Sequence, residues 1–110
     1  MDIFNLKIKI ALMICAEDGV ISKIELDTLY KESSKIKKIT KKSFQELVDE
    51  FFNESVIMED YLQVITSYQD RESILNISKK AAASDGFDIR ENLAYQKAKS
   101  FWEHHSAQSS

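Results

Sequence analysis

Glycine and proline usage places the tightest limit on how this chain folds. The 110-residue sequence contains no proline and only two glycines, Gly19 and Gly86, and each glycine directly follows an aspartate. The residues before them are also similar, since residues 16–19 read AEDG and residues 83–86 read ASDG. Glycine just after a helix-forming run commonly ends the helix, because it adopts a positive φ without a clash at Cβ. The sequence therefore predicts that one helix ends at each Asp-Gly pair.

A new helix is predicted to begin shortly after each Asp-Gly pair. Residues 22–25 (SKIE) and residues 88–91 (DIRE) both match the capping box, in which the first side chain accepts a backbone N–H and the glutamate binds back to the first residue. The Asp-Gly pairs lie 67 positions apart, and the capping boxes lie 66 positions apart. We infer an internal repeat of a helical hairpin, present in two copies.

Apolar residues spaced three or four positions apart fill most of the remaining sequence. This spacing is the periodicity of a helix with one buried face. The additional helices predicted from it are one capped by Thr40 and running to about Glu54, one from Met58 to about Tyr68, one capped by Asp70, and one around Trp102.

The predicted fold class is all-α, because no segment shows the sustained period-two alternation of a strand. The chain is expected to form a single-domain bundle of about six helices with an internal pseudo-two-fold repeat of helical hairpins. The length of 110 residues fits one hydrophobic core. We expect the domain to cover residues 1–105 and a flexible C-terminal tail to cover residues 106–110.

Composition and charge narrow the class of protein. With 44% hydrophobic and 30% charged residues, the chain is too apolar for a disordered tail and too polar for a membrane-embedded bundle. The longest apolar run, residues 10–16, is far shorter than the roughly 20 residues that span a bilayer. A net charge of -3 argues against general nucleic-acid binding, and one cysteine, Cys15, forms no internal disulfide. We expect a cytoplasmic protein with no transmembrane segment.

Acidic side chains around the two Asp-Gly pairs are the candidate metal ligands. Asp18, Gly19 and Glu25 match the second half of a calcium-binding EF-hand loop, whereas the earlier ligand positions hold Ile14 and Ala16. The candidates of the second pair are Asp85, Asp88 and Glu91. Two interpretations stay open: these side chains cap helices and turns with no cofactor present, or they bind a divalent metal.

Opposite charges are separated in the middle of the chain. Residues 31–42, the lysine segment, carry Lys31, Lys35, Lys37, Lys38, Lys41 and Lys42. Residues 43–60, the acidic segment, carry Glu46, Asp49, Glu50, Glu54, Glu59 and Asp60 and no basic residue. Both segments are interpreted either as solvated surface or as contacts for charged partners. These partners are an acidic protein, anionic lipid or nucleic acid at the lysines, and a basic partner at the acids, although the absence of arginine from the lysine segment argues against specific phosphate recognition.

Three apolar residues in the acidic segment do not fit a single helical stripe. Phe52, Val56 and Ile57 are predicted to form an exposed apolar patch. No catalytic motif accompanies the patch, since the sequence lacks a nucleophile elbow, a phosphate loop, a dinucleotide fingerprint and a zinc-binding helix. We therefore expect a protein that is not an enzyme.

The repeated Ala-x-x-Asp-Gly motif resembles the tellurite-resistance TerB-like family. In the first half, the resemblance covers an apolar helix, residues 16–21 and Glu25, and in the second half it covers residues 83–86. The second half departs from the family pattern, because Asp88 takes a usually apolar position and the glutamate is displaced to Glu91. It implies an all-helical bundle without catalytic activity, whose acidic turn residues are proposed metal ligands. Members of the family look like adaptor modules of bacterial or phage stress-response and conflict systems.

The function expected from this resemblance is that of a non-catalytic protein-interaction or adaptor module. Its partner is expected to be another protein, and one possibility is that this contact takes place at the inner membrane surface. Formation of a homodimer is also left open. Two alternatives remain. The chain is a stand-alone inhibitor or immunity protein that binds a toxin or defence enzyme, or it is a divalent-metal-binding sensor.

Overall fold

The computed structural model describes residues 2–16, 21–84, 86 and 89–108, and for residues 89–91 and 105–108 it describes the backbone alone. Within these ranges the regular elements are all helical, which confirms the predicted all-α class. In chain order they are α1 (Ile3–Cys15), α2 (Lys23–Ile36), α3 (Lys41–Phe52), α4 (Met58–Leu62), α5 (Tyr68–Ala83) and α6 (Ile89–Gln108).

Short polar side chains start α2 and α3 as the sequence predicts. The Ser22 hydroxyl accepts the backbone N–H of Glu25 at 3.1 Å, and the Glu25 carboxylate accepts the backbone N–H of Ser22 at 3.0 Å. These two bonds complete the capping box, so two backbone donors that the helix cannot satisfy internally have partners. The Thr40 hydroxyl caps α3 by accepting the backbone N–H of Ser43 at 3.1 Å, and the helix ends at Phe52, two residues before the predicted end.

The boundary between α4 and α5 differs from the prediction. The helix predicted to reach about Tyr68 ends at Leu62, and the next helix begins at Tyr68 with Ser67 rather than Asp70 as its cap. The Ser67 hydroxyl accepts the backbone N–H of Asp70 at 3.4 Å. The Asp70 carboxylate instead pairs with Lys7 of α1 at 2.8 Å. A long-range ion pair therefore uses the side chain that local sequence assigned to the cap.

The second Asp-Gly pair ends a helix as predicted. The helix α5 ends at Ala83, and Gly86 has a φ of 79°, in the left-handed region that residues with a Cβ rarely adopt. The first pair, Asp18 and Gly19, lies outside the described residues, as do Asp85 and Asp88. The boundary predicted between domain and tail at residue 105 falls inside α6.

The two helical hairpins, α1–α2 and α5–α6, pack against each other through their first helices. Helix α2 lies against α5 as well as α1, and α6 lies against α1 as well as α5. The helix α3 covers α1, and the short helix α4 fills the space between α1 and α6.

The core consists of two groups of buried side chains on either side of α1. One group joins α1 to α4, α5 and α6, where the Trp102 indole N–H donates to the backbone carbonyl of Leu62 at 2.9 Å. The other joins α1 to α2, α3 and α5 and includes Cys15, which is buried as its apolar surroundings predict. No helix in the described part of the chain is both long and apolar enough to cross a membrane.

Candidate functional site

Helix α1 carries a lysine inside the protein core. Lys9 is fully buried, with 0% of its surface exposed. Its ammonium group donates to the Glu50 carboxylate at 2.9 Å and to the Glu54 carboxylate at 2.5 Å. The second oxygen of Glu54 accepts a hydrogen bond from the Tyr61 hydroxyl. A buried charge is tolerated only when it is paired in this way, and the pairing ties α1 to the end of α3 and to α4.

The pKa values around Lys9 show that the pairing outweighs the cost of burial. Burial by itself lowers the pKa of Lys9, but hydrogen bonds to Glu54 and Glu50 reverse this effect and leave the pKa raised above 10.5. Burial likewise favours a higher pKa for Glu54, yet hydrogen bonds from Lys9 and Tyr61 lower it below 4.5. For Tyr61, burial and the hydrogen bond to Glu54 both raise the pKa, to about 12. Near neutral pH, the lysine and Glu54 are both charged and the phenol is neutral.

The burial of Lys9 is the feature that sequence reasoning missed. Lysine is rarely fully buried, so composition and motifs alone gave no reason to place Lys9 in the core. Its neighbours Ile8 and Ile10 are both buried, so Lys9 lies where the helix has no solvated face. The available sequence signal is a lysine inside a strongly apolar helix, because a buried charge requires acidic partners elsewhere in the chain.

An open apolar groove lies beside this ion cluster. It has a volume of about 490 Å³ and lies between the ends of α1 and α3, the loop before α4, and α6; we call it the α3–α4 groove. Its lining residues are Met13, Ala16, Phe51, Phe52, Glu54, Val56, Ile57, Met58, Glu59 and Lys97.

Exposed apolar side chains form the edge of the α3–α4 groove. Phe52 is 50% exposed and Ile57 is 62% exposed, as predicted for the apolar patch. The third predicted member, Val56, is instead partly buried against the core. Two of the three residues therefore offer apolar surface to a ligand, while Val56 anchors the loop that carries Ile57.

The rim of the groove is charged. Glu54 contributes a carboxylate whose partners are Lys9 and Tyr61. Across the groove, Glu59 of α4 pairs with Lys97 of α6 at 3.3 Å, and both side chains are exposed. The groove therefore combines an apolar floor with charged edges.

The structure places all six lysines of the lysine segment on the surface, at the end of α2 and the start of α3. Lys35 pairs with Glu32 at 2.8 Å, and Lys37 lies 3.6 Å from Asp2. The Lys37 ammonium also lies 5.5 Å from the centre of the Phe4 ring. Lys31, Lys38, Lys41 and Lys42 are exposed as well, so the segment presents a basic surface.

The acidic segment divides into two parts. Glu46, Asp49, Glu50 and Asp60 are exposed, whereas Glu54 and Glu59 lie at the groove with 23% and 42% of their side chains exposed. Asp49 accepts a hydrogen bond from Gln45 at 3.0 Å. The structure therefore brings Glu54 and Glu59 together at the α3–α4 groove, whereas Glu46 and Glu50 line a separate cavity with Lys37 and Lys38 of the lysine segment.

The predicted metal ligands are only partly covered by the described residues. Glu25 is buried at the start of α2, and its second carboxylate oxygen has no hydrogen-bond partner among the described residues. Asp18, Asp85 and Asp88 lie outside the described residues, and so does the side chain of Glu91. Residues 2–16, 21–84, 86 and 89–108 contain no group of three or more acidic, histidine or cysteine side chains placed to hold a metal ion.

No protein-family model, curated protein or solved structure matches this chain. The TerB-like resemblance therefore stays a prediction from the motif. The α3–α4 groove and the charged segments beside it are the features of this chain that bear on its function.

Proposed function

We propose that this protein is a non-catalytic protein-interaction module, a TerB-like adaptor of a bacterial or phage stress-response or conflict system. The observation that carries the proposal is the α3–α4 groove, where Phe52 and Ile57 are at least half exposed beside a charged rim. A single exposed apolar residue is common on protein surfaces, but two at the edge of one groove are typical of a binding site. The partner is another protein that docks on this face.

The arrangement of the groove supports binding rather than chemistry. Its carboxylates are engaged in ion pairs: Glu54 with buried Lys9, and Glu59 with Lys97. The lowered pKa of Glu54 keeps it ionised near neutral pH, which suits a fixed charge and not a group that exchanges protons. A rigid charged rim around an apolar floor contributes specificity to a protein contact.

Co-purification from the native cell with a matched pair of variants tests this function. Ile57→Glu places a charge at the edge of the groove, and Ile24→Glu places one at an exposed apolar residue of α2 that does not line the groove. We expect the specific partner to be lost with Ile57→Glu and kept with Ile24→Glu. A partner retained by both variants means that the groove is not the docking site. A captured toxin or defence enzyme identifies the adaptor as its inhibitor.

The exposed lysine segment supports a second contact of the same module, at the inner membrane surface. Clustered lysines attract anionic headgroups by roughly 1 kcal/mol each, and the attraction falls with ionic strength. Sedimentation with vesicles of anionic and of neutral lipids measures this contact. We expect the triple variant Lys31→Glu, Lys38→Glu, Lys42→Glu to lose binding to the anionic vesicles. Equal sedimentation of this variant and the wild type rules the contact out.

One observation favours metal sensing as a second candidate function. The Glu25 side chain is buried and leaves one carboxylate oxygen without a hydrogen bond among the described residues. Calorimetry with calcium, zinc and manganese tests it on the wild type and on Glu25→Gln, because glutamine preserves a capping box while it removes the charge. Heat of binding that disappears in Glu25→Gln and in Asp18→Ala supports a metal site. Absence of heat in the wild type excludes it.

A further inference from the structure

We infer that the α3–α4 groove binds a segment of its partner that places a large apolar side chain next to a lysine or arginine. This inference rests on the proposed function and names the chemistry of the partner at that site. The volume of about 490 Å³ falls within the roughly 300–1,000 Å³ typical of ligand pockets. The apolar half of the requirement comes from Phe52 and Ile57, which leave apolar surface exposed at the groove edge.

The basic half of the requirement comes from how the charges around the groove are arranged. The carboxylates of Glu54 and Glu59, which line the groove, face the ammonium groups of Lys9 and Lys97. The ammonium group of Lys9 is fully buried, so a docking partner has no access to it, whereas the Glu54 side chain is 23% exposed. A partner that approaches this side of the groove therefore meets carboxylate oxygens, and the ammonium group of Lys9 lies buried behind them. The accessible face of the ion cluster is negative.

The remaining accessible cation at the groove is replaceable. Lys97 pairs with Glu59 at 3.3 Å, and both side chains are exposed. An exposed pair of this kind contributes little, because water and salt compete for both charges. A cationic side chain of the partner can replace Lys97 as the ion-pair partner of Glu59 without a large cost in free energy. The flexible stem of Lys97 allows it to turn towards solvent.

The outer face of α3 extends the same negative field. Asp49 is exposed on this helix and Asp60 is exposed on α4, whereas Glu46 lines a cavity with Lys37 and Lys38. The acidic segment itself contains no basic residue that would offset the charge of Asp49 and Asp60. Such a surface accelerates the approach of a basic partner and disfavours an acidic one. Charge complementarity thus selects a basic partner from the many apolar segments that would fit the groove by size.

Selection of peptides from a random displayed library on the immobilised protein tests the inference. Each enriched peptide is counter-selected on the double variant Phe52→Ser, Ile57→Ser, so that only groove binders remain. We expect the wild type to enrich peptides with a large apolar residue within a few positions of lysine or arginine. Groove-specific peptides that are apolar but carry no basic residue overturn the inference and leave the docking function standing. No groove-specific enrichment overturns both.

Fluorescence anisotropy with one enriched peptide measures the two halves of the requirement separately. Ile57→Ser is expected to weaken binding about tenfold, as is usual for truncation of a buried contact, whereas Ile24→Ser leaves it unchanged. The variant Glu59→Gln should weaken binding and reduce its dependence on salt, whereas Glu72→Gln on α5 should change neither. An unchanged salt dependence in the Glu59 variant contradicts the inference.

The chain itself carries an apolar residue next to lysines, since exposed Ile36 lies among the lysines of the lysine segment. Sedimentation velocity over a range of protein concentrations distinguishes binding of a second copy of the chain from binding of a different protein. A self-associated species that dissociates in Ile57→Ser shows that a second copy occupies the groove, and it overturns the assignment to a partner protein. A monomer at all concentrations, together with peptide binding, supports the assignment.

Discussion

Two clusters of three charged side chains connect helices in this molecule, and their charges have opposite signs. The Lys9 cluster consists of Lys9, Glu50 and Glu54, and the Glu32 cluster consists of Glu32, Lys35 and Lys80. Each has one central group with two partners of the opposite charge. The central lysine of the first is 0% exposed, whereas the central carboxylate of the second is 14% exposed and its two lysines are open to solvent.

The difference between the clusters shows how burial changes the energetic role of the same interaction. In the Lys9 cluster, water is excluded from the central charge, so that no solvent replaces a lost partner. In the Glu32 cluster, water and salt ions screen both lysines, and they solvate the Glu32 carboxylate when one lysine is removed. The Lys9 cluster is therefore expected to be necessary for the fold, whereas the Glu32 cluster is expected to change the free energy of unfolding only slightly.

Replacement of the central lysine is expected to have the largest effect. Lys9→Met keeps the apolar stem but leaves Glu50 and Glu54 without the ammonium group that neutralises them. Removal of one partner from a buried ion pair typically costs about 3–5 kcal/mol, and we expect a loss at the lower end of this range in the free energy of unfolding, because water reaches the 57% exposed Glu50. Urea denaturation followed by circular dichroism measures it.

The control for this prediction removes the whole Lys9 cluster. In the triple variant Lys9→Met, Glu50→Gln, Glu54→Gln, no charge is left unpaired, so most of the lost stability should return. A single Lys9→Met variant as stable as the wild type would show that the two carboxylates are fully solvated, and the contrast between the clusters would disappear.

Alkaline pH is expected to have the second largest effect, through the Lys9 cluster. The folded-state pKa of Tyr61 is raised from 10.0 to about 12, and that of Lys9 is raised above 10.5. A raised folded-state pKa contributes stability that is present below the unfolded-state pKa and is lost as pH rises through the folded-state value. We expect a loss of about 2–3 kcal/mol from Tyr61 as pH rises from about 10 to about 12.

Urea denaturation at several pH values measures this loss. Tyr61→Phe serves as its control, because the variant has no phenol to ionise at this position and should show a shallower alkaline decline. At the acidic end the sign is reversed: the lowered pKa of Glu54 contributes stability that is present above 4.5 and is lost as pH falls below it. A wild-type stability that stays constant up to pH 12 contradicts the assigned pKa values.

Removal of the Tyr61 hydroxyl at neutral pH is expected to have the next smaller effect. The hydroxyl donates to Glu54, a charged acceptor, and such bonds contribute about 1.5–3 kcal/mol. We expect Tyr61→Phe to cost about 1.5 kcal/mol, the lower end of this range, because Glu54 keeps its bond to Lys9. Thermal denaturation at pH 7 measures the change. A cost as large as that of Lys9→Met would assign the central role to Tyr61 instead of the lysine.

The same contrast explains how much of the fold could be predicted from sequence. Caps are local, so Ser22, Glu25 and Thr40 gave the correct helix starts, and Gly86 gave the correct helix end. The boundary at Tyr68 was wrong because Asp70, a good local cap, is used by an ion pair with α1. Local patterns determine where a helix begins only when no distant side chain competes for the capping residue.

The candidate site was predictable in part for the same reason. The exposure of Phe52 and Ile57 followed from their failure to fit a helical stripe, and the exposed lysines followed from composition. The role of Glu54 did not, because its partner Lys9 lies 45 positions away in the sequence. A charge count treats every acid of a segment alike, and only the packing of α1 against α3 separates Glu54 from the exposed acids.

The Glu32 cluster yields the smallest expected effect and completes the comparison. Glu32 of α2 accepts hydrogen bonds from Lys35 at 2.8 Å and from Lys80 of α5 at 3.2 Å. The bond from Lys35, with a smaller contribution from Lys80, lowers the pKa of Glu32, but both lysines stay exposed. We expect Lys80→Met to cost at most about 0.5 kcal/mol, and high salt to remove most of that cost. Urea denaturation of Lys80→Met with and without added sodium chloride measures both. A salt-independent loss comparable to that of Lys9→Met would show that the connection between α2 and α5 depends on this pair, although water reaches both of its lysines.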